Sequence, residues 1–226
     1  MKRILFVVAS VGAMALTAMV ASATIIDSFD ATPMTVSANI GSLYNTIAGA
    51  VATNCIGGYR RLAADYEAGT IGAIMVECNT PTFVDQASFS GNGNTSGIGI
   101  FEYGRLAGTA DLNADLSHDN AFEFRIVYLA LSQDVAVAIT VVSNSDAPVT
   151  FLTAIPPGPD NLTYDVLFSN FGGANFADVD GIRYTFTAPN ASTDLVFDLL
   201  NTRLIPEPAS LALFGLLGLG LLRRRR

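Results

Sequence analysis

Tryptophan is missing from this chain, histidine occurs once and cysteine twice among 226 residues. The single histidine, His118, cannot build a His-rich zinc site, and neither an H-E-x-x-H helix nor a paired C-x-x-C occurs. The glycine-rich stretch from Gly91 to Gly97 lacks the lysine that a phosphate-cradling loop requires and reads as a connection between strands. Neither a G-x-S-x-G elbow nor an S-x-x-K pair is present, which removes the usual serine nucleophiles. Basic residues are scarce and unevenly placed. Between Lys2-Arg3 and Arg223–Arg226 stand only Arg60, Arg61, Arg105, Arg125, Arg183 and Arg203, and the formal net charge is −8. The middle of the chain is therefore more acidic than the whole, and an acidic body repels phosphate backbones, which argues against nucleic acid as a partner. The missing tryptophan also removes the broadest stacking surface for a sugar ring, leaving Tyr59, Tyr103, Tyr128 and Tyr184 as substitutes.

Half of the residues are hydrophobic, enough for a substantial core, and from Thr24 to Arg203 they are laid out with the period of strands. Phe122, Phe124, Ile126 and Tyr128 alternate with Ala121, Glu123, Arg125 and Val127, a strand with one buried face. Val135, Val137, Ile139 and Val141 form a β-branched run, and Ile182, Tyr184 and Phe186 alternate with polar neighbours. Ile56–Tyr66 and Thr70–Cys78 flank Glu67-Ala68-Gly69, which predicts a hairpin. Leu195–Leu200 follows the turn at Pro189-Asn190, and the proline-rich Ile155–Pro159 reads as a loop within the domain. No amphipathic helix is evident in this region. Many short strands with frequent turn residues predict a mainly β fold, an antiparallel, jelly-roll-like β-sandwich spanning 24–203.

The ends have a different character. Lys2 and Arg3 precede an apolar run from Ile4 to Val20, followed by Ala21-Ser22-Ala23. A basic start, an apolar core and small residues at the Ala21 and Ala23 positions make residues 1–23 a signal peptide, helical in the membrane and cut after Ala23 by signal peptidase once the Sec machinery has engaged it. At the other end, residues 204–226 carry Pro206-Glu207-Pro208, an apolar run from Ala209 to Leu222 and four arginines. As a helix that run would span roughly 21 Å at ~1.5 Å per residue, short of a hydrocarbon core of ~30 Å. Four adjacent guanidiniums cannot be buried and favour the cytoplasmic side of the inner membrane, whereas the two prolines keep the backbone at Glu207 extended and readable by a protease.

These three parts in order resemble the PEP-CTERM sorting signal of Gram-negative bacteria. The resemblance implies processing by exosortase, a membrane-embedded cysteine transpeptidase-like enzyme, in organisms that build exopolysaccharide, floc or biofilm matrix. Like other signals whose hydrophobic tail is removed, it implies a mature protein that need not retain a membrane helix. Three stretches of the body are also similar to the sandwich domain common in such proteins: Cys55–Arg61 with its Gly-Gly-aromatic-Arg pattern, the strand start Asp119-Asn120-Ala121-Phe122, and Phe176–Ile182. They bear on the fold and not on a reaction.

Chemistry outside the ends is sparse. Cys55 and Cys78 lie at the outer ends of the expected hairpin of an exported chain, so a disulfide is expected, worth about 3 kcal/mol for such a loop, the alternative being two free buried thiols. A Cys–His catalytic pair has no supporting pattern around Cys55. Asp111–Asp119 spaces oxygen side chains like the start of a calcium loop, but Leu116 stands where glycine is needed and Phe122 where the bidentate glutamate belongs. Period two explains it more simply, with Leu112, Ala114 and Leu116 inward. Asp119, Asp178 and Asp180 remain the loop carboxylates to examine for calcium, and no other cofactor is expected. The reading is a non-enzymatic surface or matrix protein, structural, adhesive or glycan-binding, with exopolysaccharide as its prospective partner. The alternatives are a secreted hydrolase using two of the abundant carboxylates and a permanently membrane-anchored protein.

Overall fold

The computed structural model describes residues 23–39, 46–69, 72–92, 94–131, 133–144, 147–189 and 192–205. The expected signal helix with Ala21, the Pro206-Glu207-Pro208 motif and the C-terminal hydrophobic helix lie outside the described residues. Among those described, no helix is long and apolar enough to cross a membrane.

Among the described residues, thirteen strands make an antiparallel two-sheet sandwich. In chain order they are β1 (Ile25–Asp27), β2 (Met34–Asn39), β3 (Thr46–Val51), β4 (Tyr59–Gly69), β5 (Ala73–Cys78), β6 (Ala87–Gly91), β7 (Thr95–Gly104), β8 (Ala121–Leu131), β9 (Val135–Ser143), β10 (Val149–Ile155), β11 (Leu162–Leu167), β12 (Val179–Ala188) and β13 (Thr193–Arg203). One sheet runs β11-β8-β13-β6-β5-β2, with β1 pairing the end of β13 that β6 leaves uncovered, and the other runs β10-β9-β12-β7-β4-β3. The chain crosses repeatedly from one sheet to the other, winding in the jelly-roll manner. Three short 3₁₀ turns are the only helical pieces among the described residues.

The core between the sheets is aromatic. Phe101 and Phe186 of one sheet meet Phe197 of the other at 5.3 and 5.4 Å between ring centroids, and Phe124 meets Tyr184 at 5.3 Å. Each of these side chains is at most 1 % exposed. Burying a ring of this size contributes about 1.5–3 kcal/mol, so the rings carry much of the stability. Gly99 makes room for them, because a Cβ there would lie 2.4 Å from the Phe89 ring.

The alternation read from the sequence holds at Phe122, Phe124 and Ile126, at Val135 to Val141 and at Ile182 to Phe186, all buried. Two expectations fail. The predicted hairpin does not form, because β4 pairs with β3 and β7 while β5 pairs with β2 and β6 in the opposite sheet. The chain leaves β4 through Gly69, at φ +146°, where a Cβ would meet the Asn94 carbonyl oxygen at 2.3 Å, and Gly72, at φ +128°, precedes β5. The second failure is at Tyr128, placed inward by period two but 47 % exposed. Ile126 pairs with Phe197 and Tyr128 with the adjacent Val196, so Val127 is an extra residue, a bulge that turns Tyr128 outward and Leu129 inward.

Candidate functional site

Three places in the sandwich gather polar chemistry: the segment that holds both chain ends, a buried ionic cluster beside it, and a depression on an outer face.

The first is Asp119-Asn120, just before β8. The Asn120 side chain donates from Nδ2 to the Ile205 carbonyl at 2.8 Å and accepts the Ile205 N–H on Oδ1 at 2.7 Å. Its backbone N–H bonds the Arg203 carbonyl at 3.0 Å. The end of β13 is thus clamped one residue before Pro206. Asp119, 6 % exposed, accepts the Thr24 N–H on Oδ2 at 3.4 Å, and the same oxygen accepts the Thr202 hydroxyl. The Thr202 N–H in turn bonds the Thr24 carbonyl at 2.9 Å. Neighbouring side chains therefore hold the first residue after Ala23 and the last before the proline motif at one pole. The sequence marks Asp119-Asn120 as a strand start and Asp119 as a calcium candidate, with no sign of a clamp. The amide that grips Ile205 is 85 residues distant in the chain, so local pattern carries no trace of it.

Close by, Arg60 and Asp27 form an ion pair with both side chains 1 % exposed. Arg60 Nη1 donates to both Asp27 oxygens at 2.7 Å, Tyr103 donates its hydroxyl at 2.8 Å, and the Phe29 N–H donates at 2.9 Å. The Arg60 guanidinium also lies 5.4 Å from the Phe29 ring centroid. Cys55 and Cys78 border this cluster as free, buried thiols. The expected disulfide is corrected on this point. Its basis was a hairpin that does not exist, and the Cys55 thiol instead donates to the Ala52 carbonyl at 3.3 Å. Burial pushes the Cys55 thiol up to about 12 and the Cys78 thiol up to about 11, so both stay protonated and unreactive at neutral pH.

The carboxylates considered for calcium do not assemble. Asp119 is bound up with Thr24 and Thr202, and Asp180 is ion-paired to Arg105 at 3.0 Å. Among the described residues, no group of three or more His, Cys, Asp or Glu side chains could hold a metal ion.

The third place is on the outer face of the β1-containing sheet. A depression of roughly 140 Å³ is lined by Glu77, Phe83, Ser88, Ser90, Tyr128 and Asp194 among others. Register builds it: Glu77 stands opposite Ser88, Ser88 opposite Val196 and Val196 opposite Tyr128, while Ser90 faces Asp194. Of the four tyrosines singled out in the sequence, Tyr103 and Tyr184 are fully buried and Tyr59 half-buried, so Tyr128 is the one that offers a ring to solvent. The Ser88 hydroxyl, in a residue 2 % exposed, has no hydrogen-bond partner. Partial burial raises the Asp194 carboxyl above its ordinary value. Glu77 accepts from the Thr35 hydroxyl at 3.3 Å. Glu77 and Asp194 are two strands and two residues apart, about 12 Å between Cα atoms at ordinary sheet spacing, side by side on one face. Glycosidic hydrolysis needs two carboxyls flanking the bond from opposite sides.

Comparison with known proteins bears on the C-terminal end. The family model described as the PEP-CTERM protein-sorting motif matches residues 204–226. The chain carries a PEP-CTERM sorting motif at its C-terminal end. The PEP-CTERM match begins at Leu204, inside the stretch that Asn120 grips, so the sorting motif starts from a fixed point of the fold. No curated protein sequence matches the chain. Among solved structures it is similar to a family 11 carbohydrate-binding module from Clostridium thermocellum, in complex with a β-1,3-1,4-mixed-linked tetrasaccharide. Identity is 15 %, covering 82 % of this chain and 97 % of that one, with a TM-score of 0.44. It is also similar to an exo-β-agarase, at 10 % identity over 82 % of this chain and 25 % of that one, with a TM-score of 0.42. Likenesses this loose bear on neither ligand nor activity.

Proposed function

We propose that this chain is an exported cell-surface or extracellular-matrix protein, held briefly at the inner membrane by its C-terminal segment and trimmed there by exosortase. Its sandwich serves as a non-catalytic, glycan-facing module. The sorting motif at 204–226 carries the first part of this reading. The clamp on Ile205 supports it, since the described chain is held fast up to the residue before Pro206. The signal peptide ending at Ala23 supplies the route out of the cytoplasm.

The glycan-facing part rests on the outer depression. An exposed aromatic ring beside carboxylates and an unpartnered buried hydroxyl is the combination that holds a sugar, apolar face on the ring and hydroxyls on the acids. The carboxylates lie side by side on an open face, which favours retention of a polysaccharide over its hydrolysis. The test is affinity electrophoresis through gels containing exopolysaccharide from a floc- or biofilm-forming bacterium. The protein should be retarded, and Tyr128→Ala should reduce retardation about 2–13-fold, the factor expected for about 0.5–1.5 kcal/mol of aromatic contact. Unchanged migration of the parent protein in every such gel would leave a structural module without a glycan site. Release of shorter saccharides from the polysaccharide would favour the hydrolase instead.

A further inference from the structure

Asp119 is a buried carboxylate without a cation. It is 6 % exposed, its Oδ2 takes the Thr24 N–H and the Thr202 hydroxyl, and its Oδ1 has no partner. The arginines of the body are committed elsewhere. Arg60 pairs with Asp27, Arg61 and Arg183 with Glu102, Arg105 with Asp111 and Asp180, Arg125 with Asp198, and Arg203 with Glu123 and Asp165. The neighbouring His118 is turned to solvent and faces Asp115 at 3.8 Å. Leaving an ionised carboxylate buried and unpaired is unfavourable, and such groups are ordinarily matched to a positive charge.

The atom nearest to supplying that charge is the nitrogen of Thr24, 3.4 Å from Asp119 Oδ2. In the precursor it is a peptide amide with one hydrogen and no charge. Hydrolysis of the Ala23–Thr24 bond adds water across it: Ala23 leaves as a carboxylate, and the Thr24 nitrogen becomes an α-ammonium with three donors. Thr24 is already fixed by the Thr202 N–H on its carbonyl, and Ile25 of β1 is paired with Asn201 of β13. The new ammonium therefore arises in place beside Asp119 Oδ2, on the carboxylate whose other oxygen has no partner.

We propose that removal of the signal peptide completes the fold: the α-ammonium of Thr24 pairs with the buried Asp119 carboxylate and locks β1 onto β13. Asp119 is accordingly a receptor for the mature N-terminus rather than a metal ligand. The inference rests on the reading of an exported protein cut after Ala23, and it makes maturation at one end tighten the pole from which the other end is presented. Asn120, the next residue, holds Ile205, so neighbouring side chains hold Thr24 and the last residue before the proline motif.

The test uses the processed chain, Thr24–Arg226, in mild detergent, released from an N-terminal fusion so that Thr24 is the first residue. It is compared with the same chain carrying Ala23 in front, and with Asp119→Asn versions of both. Thermal unfolding followed by circular dichroism should give the Thr24-first protein a melting temperature a few degrees above the Ala23-first protein. Asp119→Asn should abolish that difference. Reaction of the α-amine with an acylating reagent should be several-fold slower in the Thr24-first protein than in its Asp119→Asn counterpart. Equal melting temperatures for the two starts, or an undiminished difference between the two Asp119→Asn versions, would overturn the pairing. Amino-terminal sequencing of the protein recovered from the producing cell separates the two layers. A start other than Thr24 would overturn the maturation step, and a full-length precursor would overturn the export reading on which it rests.

Discussion

Asp27 is bound by the Arg60 guanidinium, the Tyr103 hydroxyl and the Phe29 amide, with no water-exposed route for any of the charge to be screened. Removing the carboxylate charge would strand Arg60 in the interior, and breaking a buried pair in this way costs about 3–5 kcal/mol. Asp27→Asn is therefore expected to lower the urea midpoint of unfolding strongly without changing the slope of the transition. The two thiols next to this cluster behave as apolar side chains. Their values of about 12 and 11 lie above the ordinary thiol value because the thiolate would be desolvated. Thiolate is thus nearly absent at pH 7 and rises only as pH approaches those values. Iodoacetamide should add nothing to the native protein up to about pH 9 and two carbamidomethyl groups after denaturation, read by intact mass. Failure of either cysteine to react in denaturant would mean that the pair is oxidised. Neither the free thiols nor the buried pair was legible in the sequence. The cysteines take their expected positions from a hairpin, and Arg60 stands out only as the arginine of the Gly-Gly-aromatic-Arg stretch, which says nothing of a buried partner.

Strands were legible where one face alternates without interruption, as from Phe122 to Ile126, from Val135 to Val141 and from Ile182 to Phe186. They became illegible where the backbone breaks the alternation or where partners come from afar. The extra residue at Val127 reverses the phase of β8, and nothing in Ile126-Val127-Tyr128 announces it, since all three suit either face of a strand. The β4–β5 error has the same origin at longer range. A turn rich in small residues between two β-prone runs looks local, yet each run found its neighbours in a different sheet. At the element scale the Asn120 clamp is the feature to test. Its two hydrogen bonds to Ile205 each contribute about 0.5–1.5 kcal/mol. Asn120→Ala should leave the sandwich folded while the Ile205 amide loses hydrogen-exchange protection, with amides in the middle of β13 unaffected. Equal protection at Ile205 in the variant would mean that the strand end is held by other contacts.

For the whole molecule, the informative residues lie at the two ends of the sequence: a basic and apolar start closed by small residues at 21–23, and a proline-bounded glutamate, a short greasy run and four arginines. The C-terminal order could be read directly because sorting enzymes recognise short local patterns, whereas the sandwich depends on pairings across the chain. What the fold adds is geometry. Thr24 and Ile205 are held at one pole by the adjacent side chains of Asp119 and Asn120. The measurement that tests this account most directly is the intact mass of the protein recovered from the envelope and medium of cells with and without exosortase. With the enzyme, the mass should correspond to a chain that begins at Thr24 and has lost Arg223–Arg226. Without it, the arginine tail should be retained. A tail still present in normal cells, or the same trimmed mass in cells lacking the enzyme, would contradict it.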